Sequence, residues 1–329
     1  MSSCEEKILK EYICPVGQDK LKSFFENIIK SDHLGHAYIF EGAKGIGKKT
    51  MAEYFSLVVM CDSHTPCLKC NKCMCTLSRT NPDIVYVDKG DKATINVDKV
   101  REVIKEIYIR PKLCHRRIFI IDEAHLMNDA SQNALLKVIE NPPEYAIFVL
   151  LTENKNMLLN TVRSRSMIIK IPPLSNEEIL KLSDKKSQIG VMYAKGNPGK
   201  YLELLDDEEF SQIREEFFVE FTKLFSKDEY SIYSILDFFL KYEERKESLF
   251  QFLISFFEDL MIKKNNINLP FTNEDKKSLI EKISAGITNK TSVNLLSVVL
   301  DADREAAKYT SFSISMQAML VRLWEEIHD

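Results

Sequence analysis

Nowhere in these 329 residues does an apolar run approach the roughly 20 residues that a membrane-spanning helix needs. The first ten residues, Met1 to Lys10, are polar and charged and do not read as a secretory leader. Net positive charge is missing too: 45 Lys and Arg against 49 Asp and Glu leave a formal charge of -4. That excludes a dedicated nucleic-acid binder with a large basic surface of its own, though not a local basic patch or DNA contact shared with partner chains. No internal repeat and no low-complexity linker interrupts the chain. These absences predict a cytoplasmic protein with no membrane partner. What remains is ordinary globular composition, 45% hydrophobic and 29% charged, over a length that suggests two or three domains.

The chain divides into three pieces. Up to residue 171, short and almost continuously apolar runs at 37–40, 84–87, 118–121, 147–151 and 167–171 alternate with helical patterns. Strands covered on both faces by crossover helices read that way, so the spacing predicts a parallel sheet. Met51, Phe55, Val58 and Val59 recur at helical spacing, as do Ala134, Leu135, Val138 and Ile139, the second helix stopping at Asn141-Pro142-Pro143. Residues 172–206 form a short polar module that opens with Ser175, Glu177 and Glu178 and contains the turn Gly196-Asn197-Pro198-Gly199. Residues 207–329 carry no strand signal. Phe217, Phe221 and Leu224 make one helical stripe there; Met316, Leu320, Leu323 and Ile327 make another, and both read as core.

Cysteine is unevenly distributed. Five of the eight fall between Cys61 and Cys75, and Cys67, Cys70 and Cys73 are each separated by two residues. Such spacing lets thiolates converge on a tetrahedral soft ion, zinc being the usual one, with Cys61 or Cys75 as the fourth ligand. A disulfide pair or a chance cluster competes with this reading, but nothing else suggests an oxidising compartment. Four cysteines close the coordination shell, so the expected site is structural. It could contribute roughly 10–16 kcal/mol of metal-linked folding free energy.

Upstream, Tyr38-Ile39-Phe40-Glu41 feeds into Gly42-Ala43-Lys44-Gly45-Ile46-Gly47-Lys48-Lys49-Thr50, and a helix follows. Gly42, Gly45 and Gly47 allow backbone N–H groups to crowd around phosphate oxygens, and Lys48 supplies a point charge. One position departs from the phosphate-loop pattern. Where a Ser or Thr hydroxyl should hold magnesium stands Lys49, and Thr50 comes one place late, about a hundred degrees round the helix. Further on, an apolar strand delivers Asp122 and Glu123 at its carboxyl end. Nucleoside triphosphatases keep a metal-associated Asp and a water-activating Glu in that place. His125 reads as a packing or surface residue, and Thr161-Val162-Arg163-Ser164-Arg165-Ser166 precedes the last strand.

Together these motifs resemble the clamp-loader branch of the AAA+ ATPases, and within it the non-motor delta-prime type. Three stretches carry the likeness: His36-Ala37-Tyr38 before the phosphate loop; the cysteine segment ending in Asn81-Pro82-Asp83; and Ile121 to His125 running on through Met127-Asn128, Ala134 to Lys137 and Glu140 to Pro143. Ser164-Arg165-Ser166 is similar to the family's Ser-Arg-Cys, with Ser166 in the cysteine's place. The resemblance covers residues 15 to about 205. It implies an AAA+ core over 1–171 with a zinc module at 61–83, a helical lid over 172–206 and a helical collar over 207–329. Implied partners are the delta and gamma/tau subunits of a five-membered ring that places a sliding clamp on primed DNA. The resemblance selects Cys61, Cys67, Cys70 and Cys73 as zinc ligands, with Cys75 spare, and makes Arg165 an arginine finger acting on a neighbouring subunit.

Two departures favour a non-motor subunit. Lys49 displaces the magnesium hydroxyl, and Gly199-Lys200 stands where motor subunits carry a sensing arginine. The site formed by Gly42, Gly45, Gly47, Lys48, Lys49, Thr50, Asp122 and Glu123 is therefore expected to be vestigial or weak, with ATP and magnesium bound poorly or not at all. The alternative is an active gamma/tau-type ATPase that retains Lys48, Asp122 and Glu123, against which the chain length weighs slightly. A third reading, a zinc-dependent DNA-binding module, has only Lys69, Lys72 and Arg79 as its basic footprint.

Overall fold

A computed structural model describes residues 15–31, 33–226, 228, 230–306 and 311–328. Cys4, Cys14 and the polar stretch Met1 to Lys10 lie outside the described residues. The chain forms two compact units, the first comprising residues up to 184 with 196–200, the second 185–195 with 201–329. Residues 172–206, expected to form a lid, are thus shared between the two.

In the first unit, α1 (Asp19–Lys30), β1 (Ala37–Glu41), α2 (Lys48–Met60), α3 (Asn71–Leu77), β2 (Ile84–Val87), α4 (Val97–Ile107), β3 (Arg117–Ile121), α5 (Asp129–Glu140), β4 (Ala146–Thr152), α6 (Asn160–Arg163), β5 (Met167–Lys170) and α7 (Asn176–Ile179) follow in order. The five strands pair in the order β2-β3-β4-β1-β5, every pair parallel. Alternate residues serve opposite faces. Ile118 and Ile120 of β3, with Phe40 of β1 and Val149 of β4, pack under Phe25 of α1 and Phe55 of α2. Phe119 and Ile121, with Ile39 and Leu150, pack under Val103 of α4 and Leu135 of α5. Both faces are covered, and for that reason β3 and β4 read as unbroken apolar runs. β5 corrects the expectation of a strand buried on both faces. It lies at the sheet edge, where Met167, Ile168 and Lys170 are exposed and only Ile169 is buried.

Asp83 ties the cysteine segment to the sheet. It is 1% exposed, and its carboxylate accepts the backbone N–H groups of Lys112, Leu113 and Cys114, each at 2.7 Å. Asn81 accepts from Asp83 N at 3.0 Å and donates to Thr76 Oγ1 at 3.0 Å. The Asn81-Pro82-Asp83 motif therefore links α3 to the loop that leads into β3. Ser175 begins α7 with a capping box, accepting from Glu178 N while Glu178 Oε2 accepts from Ser175 N.

The second unit is helical throughout its described residues. It comprises α8 (Gln188–Ala194), most of α9 (Pro198–Asp206), α10 (Glu208–Phe221), α11 (Ser231–Lys241), α12 (Lys246–Lys264), α13 (Lys277–Ala285), α14 (Asn289–Ala306) and α15 (Phe312–His328). Phe217, Phe221, Leu224, Met316, Leu320 and Leu323 from the expected stripes are all in its core. That core also encloses Arg214, 0% exposed. Its guanidinium is bidentate to Asp275 at 2.9 and 2.7 Å and donates to Asn273 Oδ1 at 2.9 Å. Asn273 in turn donates to Asp259 Oδ2 of α12 at 2.8 Å, so this buried polar network ties α10 to α12.

Replacing Asp83 by Ala removes the acceptor of three part-buried N–H donors. The expected loss is about 3 kcal/mol of folding stability, read as a lowered urea midpoint with an unchanged slope. An unchanged midpoint would show that the loop before β3 finds other acceptors.

Candidate nucleotide site, cysteine centre and arginine turn

The loop between β1 and α2 folds as the glycines require. Gly45 and Gly47 have φ of 78 and 96, in the left-handed region. Lys48, first residue of α2, turns its ammonium back onto the loop and donates to Gly42 O at 2.8 Å and Ala43 O at 2.9 Å. Burial holds the Lys48 ammonium below the ordinary lysine value, while Glu153, Asp122 and Glu123 pull the other way. Residues 196–200 close over the loop. Gly199 N donates to Gly45 O at 2.9 Å and Asn197 Nδ2 to Lys44 O at 2.7 Å. A Cβ at Gly199 would lie 2.8 Å from Gly45 Cα, so only glycine permits this approach.

Because β1, β3 and β4 are parallel, Gly42, Asp122 and Glu153 all emerge at the same edge of the sheet. Lys49 Nζ lies 3.8 Å from Asp122 Oδ2, and Asp122 Oδ1 accepts from Glu123 N at 2.9 Å. Lys89, just beyond β2, places its ammonium 3.0 Å from Glu123 Oε2. Both candidate catalytic carboxylates thus face a lysine. Thr50 lines a cavity of about 80 Å³ with Ile46, Met51, Leu174 and Pro198. The structure brings together Lys48, Lys49, Asp122 and Glu123 as the motifs imply. Lys89 and Asn197 were missed. Lys89 was findable, since it follows the strand beside β3 and must come out at the same edge.

At the end of α2, Cys61, Cys67, Cys70 and Cys73 converge, with their sulfur atoms all within 4.8 Å of one another. Cys67 Sγ and Cys73 Sγ are 3.9 Å apart, against about 3.8 Å for a tetrahedral zinc tetrathiolate. Cys70 N donates to Cys67 Sγ and Cys73 N to Cys70 Sγ, both at 3.4 Å. N–H groups of Lys69 and Cys70 pull the Cys67 thiol down to about 6, whereas burial pushes Cys73 and Cys70 up. A dication would draw all four into the thiolate form. Cys75 turns away and donates to Asn71 Oδ1 at 3.5 Å. These four sulfurs could hold zinc. Of the three cations that suggested DNA contact, Lys72 pairs with Asp62 and Arg79 with Glu53, which weakens that reading.

Arg165 lies in the turn between α6 and β5 and is exposed. Its guanidinium is 3.0 Å from Glu140 Oε1 and donates to Thr161 O at 3.1 Å. The turn is positioned from below by Gln132, 2% exposed, which accepts from Leu159 N at 2.7 Å and donates to Met127 O at 3.1 Å. Ser166 Oγ closes it by donating to Val162 O at 2.9 Å.

A five-stranded parallel sheet with a glycine loop after β1 and acids after β3 defines a P-loop core of the AAA+ type, here with a helical C-terminal region. Two family models, described as DNA polymerase III, delta subunit, and DNA polymerase III, delta subunit, C terminal, match residues 17–175 and 208–312. The DNA polymerase III subunit tau of Bacillus subtilis is 32% identical over 167 residues, 50% of this chain and 30% of that protein. Subunit tau/gamma of Haemophilus influenzae is 31% identical over 173 residues, 52% of this chain and 25% of that protein. The chain thus spans less than a third of the length of these two curated relatives. Among solved structures, a DNA polymerase III gamma-subunit-related protein of Thermotoga maritima is similar with a TM-score of 0.44 and 16% identity, covering 93% of this chain and 99% of that one. The Bacillus subtilis DNA clamp loader delta protein gives 0.33 and 11%, covering 92% and 99%. The chain belongs to the clamp-loader-type DNA polymerase III subunit family, delta-subunit-like and homologous to tau and gamma. No helix among the described residues is long and apolar enough to cross a membrane.

Proposed function

We propose that this chain is a non-motor, delta-prime-like subunit of a DNA polymerase III clamp loader. It helps to load the sliding clamp onto primed DNA during replication in the cytoplasm, in a five-membered ring with delta and gamma/tau subunits. The observation that carries this reading is Lys49, whose ammonium sits 3.8 Å from Asp122, the carboxylate a motor subunit would give to its metal. Lys89 against Glu123 supports it, since a water-activating carboxylate has to be free to accept a proton. Gly199 supports it as well. A sensing arginine at that position has no room against Gly45.

On this reading the chain contributes to hydrolysis by giving Arg165 to the neighbouring subunit's nucleotide. Glu140 holds the guanidinium in its waiting position, a surface pair weak enough to exchange for a phosphate. The cysteine centre is a structural zinc site with Cys61, Cys67, Cys70 and Cys73 as ligands; zinc would supply cross-linking and no reaction step. An active gamma/tau-type ATPase is the alternative, and the retained Lys48, Asp122 and Glu123 favour it.

Three outcomes are expected. Metal analysis of the purified protein should give one zinc per chain; zinc should be lost in Cys61→Ser and kept in Cys75→Ser, and no tightly held zinc would refute the site. The isolated chain should not turn over ATP. A normal ATPase rate abolished by Lys48→Ala would establish the motor alternative. In a complex rebuilt with Arg165→Ala, assembly should be intact and the ATP site served by this residue slowed by roughly 10³–10⁵-fold. Equal DNA- and clamp-stimulated rates in wild-type and variant complexes would remove the finger assignment.

A further inference from the structure

The site described above disagrees with a magnesium nucleotide in one specific way. P-loop enzymes hold the metal between a loop hydroxyl and a strand-end Asp. Here the hydroxyl position carries Lys49, and the displaced Thr50 lines the small cavity with Ile46 and Met51. Asp122 already has partners in the chain: Oδ1 accepts from Glu123 N at 2.9 Å and Oδ2 lies 3.8 Å from the Lys49 ammonium, the side a metal would have to share. Glu123, the neighbouring carboxylate, is paired with Lys89. A dication seated on Asp122 would lie close to the ammonium, and like charges at such distances disfavour each other.

The loop nevertheless keeps its carbonyls occupied by donors of the chain. Four successive carbonyls that could repel an anion are each engaged by donors of the chain: Gly42 O and Ala43 O by Lys48 Nζ, Lys44 O by Asn197 Nδ2, and Gly45 O by Gly199 N. Two lysines, Lys48 and Lys49, begin α2, where the helix dipole also favours negative charge.

We infer that the Lys49 ammonium takes the place of the divalent cation, so that this site accepts a nucleoside polyphosphate without magnesium. Lys49 then does permanently what the metal does transiently, neutralising phosphate charge while holding Asp122 in place. A fixed ammonium cannot be withdrawn or recruited during a catalytic cycle, so the bound nucleotide acts as a structural anion of the core. This inference rests on the non-motor reading for its biological sense, but it is tested separately.

The test is equilibrium binding of ADP and of ATP to the full chain by titration calorimetry, in magnesium and in EDTA. For the wild type magnesium should not tighten binding of either nucleotide, ATP (which magnesium complexes in solution) should bind more weakly in magnesium than in EDTA, and binding should weaken as salt rises. In Lys49→Thr, magnesium should tighten ATP binding by about tenfold or more, a coupling of about 1.4 kcal/mol. Lys49→Met, which keeps the length of the side chain, should bind more weakly in both conditions and guards against misfolding of the first variant. Magnesium tightening wild-type binding about tenfold, absence of binding in both conditions at millimolar nucleotide, or unchanged affinity of Lys49→Met in EDTA would each overturn the inference. Turnover in the same samples would sink the non-motor reading while leaving metal-independent binding standing.

Discussion

All five strands of the core run in the same direction, and that single constraint brings Gly42, Lys89, Asp122 and Glu153 to one edge. A parallel sheet requires crossovers that cover both faces, so, apart from the exposed edge strand β5, its strand ends are what the sheet leaves open to solvent. Gly42 follows β1, Lys89 follows β2, Asp122 follows β3 and Glu153 follows β4, and in the order β2-β3-β4-β1 these residues make one edge. Nothing in that geometry demands a working ATPase. The sheet delivers charges to an edge; which charges arrive is decided by individual residues.

At this edge the balance has shifted toward ammonium groups. Lys49 is 48% exposed and Asp122 32%, so their pair stabilises the fold by at most about 1 kcal/mol. The same holds for Lys89 and Glu123, each 37% exposed. Weak contributions to stability are poor reasons to keep two lysines against two carboxylates. An effect on what the edge can bind is a better one. The segment 196–200 points the same way, because Gly199 lies so close to Gly45 that a side chain there would have to push the segment off the loop.

What could be read from the chain beforehand follows from range. Strand positions, the phosphate loop, the acidic pair and the break at Asn141-Pro142-Pro143 are local patterns, and the five strands appear within one residue of the expected limits. The exposure of β5 was illegible because edge or centre is a property of strand order, which no run of four apolar residues encodes. Glu140 and Asn197 were missed for a similar reason: each is an ordinary helix-end or turn residue until the fold sets it beside Arg165 or Lys44. Arg214 was hidden most completely. Its partners Asn273 and Asp275 lie about sixty residues away, and an arginine among phenylalanines on α10 reads as the solvated side of the helix.

The cysteine segment completes the argument, because it lies against the helix that carries Lys48 and Lys49. α2 is buried nearly all the way round, which its simple amphipathic stripe did not suggest. One side packs on the sheet through Met51 and Phe55. The other is covered by the cysteine segment, where Leu57 meets Cys61, Cys73 and Leu77, and where buried Glu53 is paired with Arg79. Burying Leu57 is worth about 1.5–3 kcal/mol, too little to order a segment with so few apolar residues, given a backbone cost of about 1–2 kcal/mol per residue. A tetrathiolate zinc, contributing roughly 10–16 kcal/mol when bound, would offset a large part of that cost. The proposed zinc would then act at a distance on the phosphate loop, by holding α2 from behind while residues 196–200 hold the loop from in front.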